Sequence, residues 1–322
     1  MGADNLSIVI STFKREKQII RILDSLNNQI SDNIFLEINI CDSYSDYNTN
    51  NFHNYKKNID IKYFNIKDNI LSSKRNFGIL KSTYKKIILL DDDCIPDQNF
   101  IKLYLQDFAN IKEDVILSGI VYYPVDYIKK NNHIRFKQSR HFILKDITKN
   151  KKLLPDKIVA MNMAFINSKK IQNIGLFNKN FTGYGFEDYE FGFRYFSNGF
   201  RLQQSYAAII HDEGYPDINN YIKKYYYLGR SGMENLLSIN LPAAKKTIFY
   251  KIESNLLFKL ITKIYKIKKI LLLMEKIISK IDKFDKLYIP FAFNFLRLSA
   301  YMRGFIDRNI KDIKLKNNNW YE

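Results

Sequence analysis

The stretch KKIILLDDDCIPDQNF, residues 85–100, joins four branched aliphatic residues to three consecutive aspartates. A continuous run of such apolar residues is typical of a strand that is buried on both faces of a parallel sheet. Three like charges directly after the strand repel one another, so Asp91, Asp92 and Asp93 predict either a solvated turn or a bound cation. The choice between these two interpretations depends on the other charged residues of the chain.

Strand-like and helix-like segments alternate along most of the sequence. Runs typical of strands at residues 6–12, 34–43 and 59–66 are separated by segments in which apolar residues recur at helical spacing. This alternation predicts an α/β fold, with right-handed crossovers and a mostly parallel, twisted sheet flanked by helices. We interpret residues 129–154 as a polar loop, and the pattern is helical from about Asn219 onward. The predicted division is an α/β domain at residues 1–232 and a basic helical region at residues 233–322.

Three polar residues each close a predicted strand: Thr12, Asp42 and Asp91. In a parallel sheet the carboxyl ends of the strands meet at one edge, and ligands bind in the crevice beyond that edge. The positions of these side chains are the first functional signal in the sequence.

The charge of the chain is strongly positive. It has 51 Lys and Arg against 33 Asp and Glu, a formal net charge of +18, and residues 245–322 alone hold 18 basic and 7 acidic residues. Such an excess points to an anionic partner, which can be nucleic acid, an acidic membrane surface or a phosphorylated substrate.

The cysteines and the apolar runs bear on localisation. Cys41 and Cys94 both lie in strand-like runs, which indicates buried thiols rather than a disulfide framework and favours a reducing, cytoplasmic setting. The N-terminal residues lack the pattern of a signal sequence, and no uncharged apolar run reaches the roughly 18–20 residues that span a bilayer. We therefore expect a cytoplasmic protein, either soluble or peripheral on the inner face of the cytoplasmic membrane.

Two further acids and one histidine extend the functional signal. Glu187 and Asp188 follow the glycine-rich loop GYGF. They are interpreted either as acids that cap a helix or as a general base on a loop that closes over substrate, with Tyr184 offering a flat face to a sugar ring. His211 ends a strand-like run; a lone histidine there is usually structural, but an imidazole added to two carboxylates would favour Mn²⁺.

The motifs STFKRE, ICDSYSD, SSKRNFGI, LLDDDCIP, AMNMAF, GYGFEDYEF and HDEG, in this order, resemble the family 2 glycosyltransferases of GT-A fold. The later motifs resemble the branch that contains chondroitin polymerases and, more distantly, beta-galactosyltransferases. The resemblance covers residues 6–232. It implies an inverting, metal-dependent transfer of a hexosyl or N-acetylhexosaminyl group from a nucleotide-diphospho sugar, with a UDP-sugar favoured. The implied acceptor is a hydroxyl of a glycan or lipid-linked glycan in bacterial surface polysaccharide synthesis.

The resemblance also implies roles for individual residues. Asp42 matches the aspartate that hydrogen-bonds uracil, although Ser43 and Tyr44 replace the Gly-Ser that usually follows it. Asp188 matches the catalytic base, and Glu187 is expected to hydrogen-bond one of the sugars. The residues assigned to the nucleotide sugar are Thr12, Lys14, Arg15, Asp42, Arg75, Asn76, Asp91, Asp92, Asn162 and Tyr184. The residues assigned to Mn²⁺ or Mg²⁺ are Asp91, Asp93 and His211, with Asp93 preferred over Asp91.

The basic segment at residues 256–284 leaves three interpretations open. Its lysines at 259, 263, 266, 280 and 283 lie near one face of a predicted helix, opposite leucines and isoleucines. The helix can pack on the catalytic domain, lie on an anionic membrane surface, or form an oligomer contact.

Two other functions compete for the chain as a whole. A basic RNA- or anionic-surface-binding protein is suggested by the charge, but no RNA-binding motif is present and we expect no nucleic-acid partner. A nucleotidyltransferase would have similar strand-end aspartates, but the sequence lacks a glycine-rich phosphate loop near the N-terminus.

Overall fold

A computed structural model describes residues 4–44, 55–141, 152–284 and 287–308 of the chain. The chain forms two compact units that alternate along the sequence. The first is drawn from Met1–Tyr123, His141–Lys179 and Glu187–Gly214, and the second from Pro124–Arg140, Asn180–Phe186 and Tyr215–Glu322. The expected domain boundary between residues 232 and 233 stays a prediction.

The first unit contains a mixed eight-stranded sheet. Its strands are β1 (Asp4–Thr12), β2 (Ile34–Asp42), β3 (Ile59–Asn65), β4 (Lys86–Asp91), β5 (Cys94–Pro96), β6 (Val115–Tyr122), β7 (Asn162–Ile166) and β8 (Arg201–His211). They follow the order β3-β2-β1-β4-β7-β6-β8-β5 across the sheet. Strands β1 to β4 pair in parallel, as do β6 and β8, whereas β7 is antiparallel to both of its neighbours and β5 is antiparallel to β8. The expected α/β fold with a largely parallel sheet is confirmed.

Helices follow the strands in the first unit and form most of the second. They are α1 (Glu16–Asn27), α2 (Leu71–Lys81), α3 (Phe100–Asn110), α4 (Val125–Lys130), α5 (Asn132–Gln138), α6 (Lys169–Ile174), α7 (Glu187–Ser197), α8 (Ile218–Tyr227), α9 (Met233–Ile239), α10 (Leu241–Lys246), α11 (Ile248–Ser254), α12 (Leu256–Thr262), α13 (Ile267–Ile281) and α14 (Pro290–Asp307). A short 3₁₀ helix covers Pro155–Lys157, and a π-helix covers Leu228–Gly232. No helix in the described ranges has the length and apolar character needed to cross a bilayer.

Two sequence-based expectations need correction. The polar loop predicted at residues 129–154 contains α5, whose short length and basic residues hide its buried Ile134 and Phe136 from a search for helical periodicity; residues 142–151 lie outside the described ranges. The single amphipathic helix predicted at residues 256–284 is instead two helices, α12 and α13. Lys266, with a left-handed φ of 65°, interrupts them, because this backbone conformation does not continue a right-handed helix.

The order of the strands places the polar strand ends together. β1 lies between β2 and β4, so the chain changes direction across the sheet at β1. Thr12 is paired with Asp42 across β1 and β2, and Ser11 is paired with Asp91 across β1 and β4. Ligands of open α/β sheets bind at such a change of direction. The expected meeting of Thr12, Asp42 and Asp91 at one edge of the sheet is therefore confirmed.

Helix α2 packs very closely on the sheet. A Cβ atom at Gly78 would overlap Cγ1 of Val9 and would lie 3.0 Å from Sγ of Cys41. Both Val9 and Cys41 are buried, and Cys41 is a free thiol, as is the buried Cys94. Glycine at position 78 therefore lets α2, with its polar first half, approach β1 and β2.

The second unit has its own apolar core. The core residues are Phe136, Ile218, Tyr221, Ile278, Phe293 and Leu296. Buried polar contacts join α5 and α14 to α13. His133 Nδ1 lies 2.8 Å from Asp282 Oδ2, and Arg303 donates to both carboxylate oxygens of Glu275 at 2.8 and 2.7 Å. The acids of α13 and of its C-cap are therefore used inside the unit.

We predict that Gly78→Ala lowers the free energy of unfolding by about 1–3 kcal/mol, because the added methyl group overpacks the contact with Val9. The better helix propensity of alanine offsets only about 1 kcal/mol. Urea denaturation of the full chain measures the change. Lys81→Ala, on the exposed side of the same helix, is the control and should change stability by about 0.5 kcal/mol or less. An equal effect of the two substitutions would contradict the close packing at Gly78.

Candidate active site

The three aspartates after β4 are enclosed rather than solvated. Asp91 Oδ1 accepts a hydrogen bond from Arg75 Nη2 at 2.9 Å. Asp92 Oδ1 and Asp93 Oδ2 both accept from Arg15 Nη1, at 3.2 and 3.0 Å. Asp92 is only 4% exposed. Two arginines from different elements thus relieve the repulsion among the acids, and a simple solvated turn does not describe this segment.

Arg75 joins two parts of the site that are far apart in the sequence. Its guanidinium is 3% exposed, and its Nη1 donates to Asp188 Oδ1 at 3.1 Å and lies 3.5 Å from Glu187 Oε1. Asp91 at the end of β4 and Asp188 at the beginning of α7 are therefore both paired with the buried guanidinium of Arg75. The resemblance had grouped Asp91 with Asp188, and the structure brings these two residues together.

Burial shifts the protonation of the acids at the start of α7. Burial, followed by the charge of Asp188, raises the pKa of Glu187 to about 7. Burial also raises the pKa of Asp188, although Arg75 and the backbone N–H of Ala160, at 2.9 Å from Asp188 Oδ2, oppose this shift. A carboxylate with a raised pKa is a stronger base than one in water.

Asp92 and Asp93 are shifted in opposite directions. Burial raises the pKa of Asp92 to about 7, with Asp93 and Asp91 adding to the effect and Arg15 opposing it. Burial alone would also raise the pKa of Asp93, but its contacts with His211 and Arg15 lower that pKa below the ordinary value. Asp93 is therefore the member of this pair that is held in the charged form.

A group of candidate metal ligands lies at the pairing of β5 with β8. Cys94 is opposite His211 in this pairing, and ligand atoms of Asp93, Cys94 and His211 all lie within 4.8 Å of one another. His211 Nε2 is 3.2 Å from Asp93 Oδ1. Burial raises the pKa of the Cys94 thiol well above its usual value, and this neutral thiol donates to Asp93 Oδ1 at 3.6 Å. The chemistry of an ionised carboxylate beside an imidazole fits Mn²⁺. Asp91 is not a member of this group, and its part in metal binding stays a prediction.

The pairing of β1 with β2 creates a second polar position, at Asp42. The residue is fully buried; its Oδ1 accepts from the backbone N–H of Tyr44 at 2.8 Å. Burial raises the pKa of Asp42, while the backbone N–H of Tyr44 and the side chain of Tyr63 oppose this shift. The Oδ2 atom of Asp42 is buried and makes no hydrogen bond of ordinary geometry in the described part of the chain. An unsatisfied buried acceptor is costly, so this oxygen is suited to a donor on a ligand. Lys14, which has a left-handed φ of 57°, places its Nζ 5.1 Å from the Phe13 ring and 5.2 Å from the Tyr44 ring.

Lys74 is a site residue that sequence reasoning missed. Its side chain is buried, and Nζ donates to the backbone carbonyl of Thr12 at 2.7 Å and to Oδ1 of Asn69 at 2.5 Å. Burial lowers the pKa of Lys74 to about 8, although nearby acids, Asp42 first among them, oppose the shift. The available signal was the polar run SSKRN on a helix of an α/β domain, where an apolar face is expected.

Three further residues assigned to the nucleotide sugar are Asn76, Asn162 and Tyr184. Asn76 exchanges two hydrogen bonds, of 2.7 and 2.9 Å, with the backbone of Phe177. Asn162 is fully buried, accepts from the Tyr104 hydroxyl at 2.6 Å and donates to backbone carbonyls of β6 and β8 at 3.0 Å. Both amides are thus occupied by protein groups, and their contacts with a nucleotide sugar stay predictions. Tyr184 belongs to the second unit, and its role also stays a prediction.

A family model described as "Glycosyl transferase family 2" matches residues 7–175 of the chain. Chondroitin synthase of Pasteurella multocida (strain Pm70) is 25% identical over 223 residues, which cover 60% of this chain and 23% of that protein. Hyaluronan synthase of Pasteurella multocida is 28% identical over 223 residues, which also cover 60% of this chain and 23% of that protein. The chain thus matches less than a quarter of the length of these two relatives.

Among solved structures, S. aureus TarS 1–349 in complex with UDP has a TM-score of 0.52 and 14% sequence identity. The alignment covers 94% of this chain and 88% of that one. The same fragment has also been crystallised with UDP-GlcNAc. At this identity the likeness concerns the fold alone, and it confirms the GT-A architecture expected from the sequence.

We predict that Glu187→Gln weakens the pH dependence of stability. The pKa of Glu187 is about 7 in the folded protein, against an ordinary value of 4.5 in an unfolded chain. Its contribution to stability is therefore complete below pH 4.5 and is lost as the pH rises toward 7. Glutamine cannot ionise, so the free energy of unfolding of the variant should fall less over this interval than that of the wild type.

Urea denaturation across the same pH interval measures the effect. Glu113→Gln, at an exposed position of the first unit, removes the same charge and should follow the wild-type profile. If the Glu187 variant also follows the wild-type profile, the raised pKa of Glu187 is wrong.

Proposed function

The chain belongs to glycosyl transferase family 2, and on that premise we propose that it moves a sugar from a nucleotide-diphospho sugar to an acceptor hydroxyl, with inversion at the anomeric carbon. The observation that carries the proposal is the contact of one buried guanidinium, Arg75, with both Asp91 and Asp188. Asp91 ends the central strand β4 and Asp188 opens α7, so Arg75 holds the proposed donor-binding and base residues in one cluster.

The proposed donor is a UDP-sugar. The Asp42 Oδ2 atom, buried and without a hydrogen bond of ordinary geometry in the described ranges, suits the N3–H donor of uracil. Lys14 is exposed and Arg15 is partly exposed, so both are placed to meet the negative charge of a diphosphate. The TarS fragment, which shares the fold, has been crystallised with UDP and with UDP-GlcNAc, which supports the same choice.

Asp93 and His211 would hold a divalent ion, Mn²⁺ or Mg²⁺, and Asp91 is a further candidate ligand. When bound, such an ion stabilises the negative charge that develops on the departing diphosphate. The fit rests on the ionised state of Asp93 and on its 3.2 Å separation from His211 Nε2. Arg15, which contacts Asp92 and Asp93, adds positive charge at the same place.

Asp188 is the proposed general base. As the acceptor oxygen forms its bond to the anomeric carbon, the hydroxyl proton passes to the Asp188 carboxylate. The bond from the anomeric carbon to the diphosphate breaks in the same step, and the nucleoside diphosphate leaves with that electron pair. A single displacement of this kind inverts the anomeric configuration. Arg75 keeps Asp188 ionised in a buried position, while burial raises its basicity.

The proposed acceptor is a glycan or a lipid-linked glycan in the synthesis of a bacterial surface polysaccharide. The relatives named chondroitin synthase and hyaluronan synthase support this class of product, and they differ from this chain in length. We place the reaction in the cytoplasm, with the protein on the inner face of the cytoplasmic membrane. Membership of the family favours glycosyl transfer over RNA binding or nucleotidyl transfer as the function of the strand-end acids.

We predict metal-dependent binding of UDP. Isothermal titration with Mn²⁺ should give tighter binding than titration with EDTA, because Asp93 and His211 bring the ion to the diphosphate. Asp93→Asn and His211→Gln should remove most of that gain, whereas Asp97→Asn, at an exposed position after β5, should keep it. Equal UDP affinity with and without Mn²⁺, in folded wild-type protein, would contradict the metal site.

We predict that Asp188→Asn lowers transfer about 10²–10⁴-fold, since an amide cannot accept the acceptor's proton. The Kd for UDP should change little, because the amide removes the base and not the donor-binding groups. Release of UDP or GDP from a panel of nucleotide sugars first identifies the donor and then measures the rate. Asp156→Asn, at an exposed position of the same unit, is the control. If the transfer rate and the affinity for UDP fall by similar factors, Asp188 is not the general base.

A further inference from the structure

Helix α13 of the second unit has apolar residues on two sides, one buried and one exposed. Leu271 and Ile278 face inward and are buried, with Glu275 between them. On the outward side Ile270, Leu273, Met274 and Ile277 are 53%, 59%, 38% and 46% exposed. Their spacing of i, i+3, i+4 and i+7 places these four side chains on one stripe of the helix. The outward stripe is an apolar surface that is exposed in the described part of the unit.

A row of lysines lies beside this stripe. Lys269, Lys276 and Lys280 are exposed and are spaced at i, i+7 and i+11, so they share one side of the helix. At about 100° per residue, this row lies about 90° from the apolar stripe around the helix. The stripe and the row together form the outward face of α13.

The outward face of α13 carries no compensating negative charge. Glu275, the acid within the helix, is buried against Arg303 and accepts a 2.7 Å hydrogen bond from Ser299. Asp282, at the C-cap, is buried against His133. The acids of this segment are thus directed inward. Lys268 also points inward and pairs with the buried Asp307, whereas Lys269, Lys276 and Lys280 are exposed.

Further large apolar side chains are exposed in the same unit on both sides of α13 in the sequence. In α12, Leu256, Leu257 and Leu260 are 72%, 64% and 55% exposed. After α13, Phe284 and Phe291 are 61% and 77% exposed. The stripe of α13 is therefore accompanied, in the neighbouring sequence of the same unit, by other apolar side chains that can meet an apolar phase.

We propose that the outward face of α13 binds the surface of an anionic phospholipid membrane. An interfacial helix buries its apolar stripe at the level of the acyl-chain boundary, while flanking lysines meet the anionic headgroups. The stripe and the lysine row provide both parts on adjacent sides of one helix. The inference deepens the proposed location of the enzyme at the membrane; the transfer chemistry is not needed for it.

A second copy of the chain fits this face less well. A two-fold contact brings the same patch of both copies together, so the rows of Lys269, Lys276 and Lys280 would meet each other. The two acids of α13 and its C-cap, Glu275 and Asp282, are buried and paired, so neither can compensate these lysines across the contact. Like charges that face each other across an interface are unfavourable, whereas anionic headgroups neutralise the same lysines.

The test is cosedimentation of the full chain with phosphatidylcholine vesicles and with vesicles that also contain phosphatidylglycerol. We expect binding to the anionic vesicles, weakened by salt. The charge variant Lys269→Glu/Lys276→Glu/Lys280→Glu should bind at least about tenfold more weakly. The stripe variant Ile270→Ser/Leu273→Ser/Ile277→Ser should also lose affinity. Circular dichroism checks that each variant is folded.

The matched control is Lys102→Glu/Lys169→Glu/Lys170→Glu, which makes the same charge change at exposed positions of α3 and α6. This variant should keep most of the vesicle affinity. Equal losses in the two charge variants would show that overall charge, and not α13, drives binding, and would overturn the proposal. So would equal binding to neutral and anionic vesicles, or self-association that depends on the stripe without any vesicle binding.

The two proposals fail separately in these measurements. Release of nucleoside diphosphate from a sugar donor is measured without vesicles, and vesicle binding is measured without a donor. A protein that binds anionic vesicles through α13 but releases no nucleotide would contradict the proposed transfer alone. A protein that turns over the donor but ignores vesicles would contradict the membrane surface alone.

Discussion

The contact of the buried Arg75 guanidinium with Asp91, Glu187 and Asp188 is the constraint on which the site depends. A cation that is 3% exposed has lost its hydration, and an unpaired charge in such a place costs several kcal/mol. The carboxylates in turn need a cation to remain ionised away from water. Because the partners come from α2, from the end of β4 and from the start of α7, pairing them fixes three elements relative to one another.

The acids after β4 are divided between two arginines of different exposure. Arg75 is enclosed and belongs to the permanent framework, whereas the Arg15 side chain is 29% exposed and holds Asp92 and Asp93 at a position that solvent reaches. Asp93 is kept in the charged form by its contacts with His211 and Arg15, so an ionised carboxylate is present on the Arg15 side of the cluster.

The second unit uses its charges differently. Its core contains ion pairs between Glu275 and Arg303 and between His133 and Asp282, and these pairs fasten α13 to α14 and α5. The same pairs remove the acids of this segment from its surface, so no acid of α13 lies beside the exposed Lys269, Lys276 and Lys280. Burial of acids and exposure of a basic face are therefore two results of one packing arrangement.

The sequence by itself determined strands β1 to β4 and the polar residues at the ends of β1, β2 and β4. Runs of apolar residues predicted β1, β2, β3 and β4, since these patterns are local and depend on nearby residues. The strand-end position of Thr12, Asp42 and Asp91 followed from the same alternation, because parallel strands end at a common edge. The resemblance supplied the pairing of that edge with Glu187 and Asp188.

Only the tertiary structure decided which charges meet and which polar groups are buried. The spacing of apolar residues did not show that the buried Lys74 ammonium donates to the backbone carbonyl of Thr12. Nor did it show that the Asn162 side chain is buried against Tyr104. It also did not show that α13 is separate from α12, with an apolar stripe turned outward. The free energy of a charge or an apolar side chain depends on its burial and its partners. Both are set by residues that are distant in the chain and come close only when it folds.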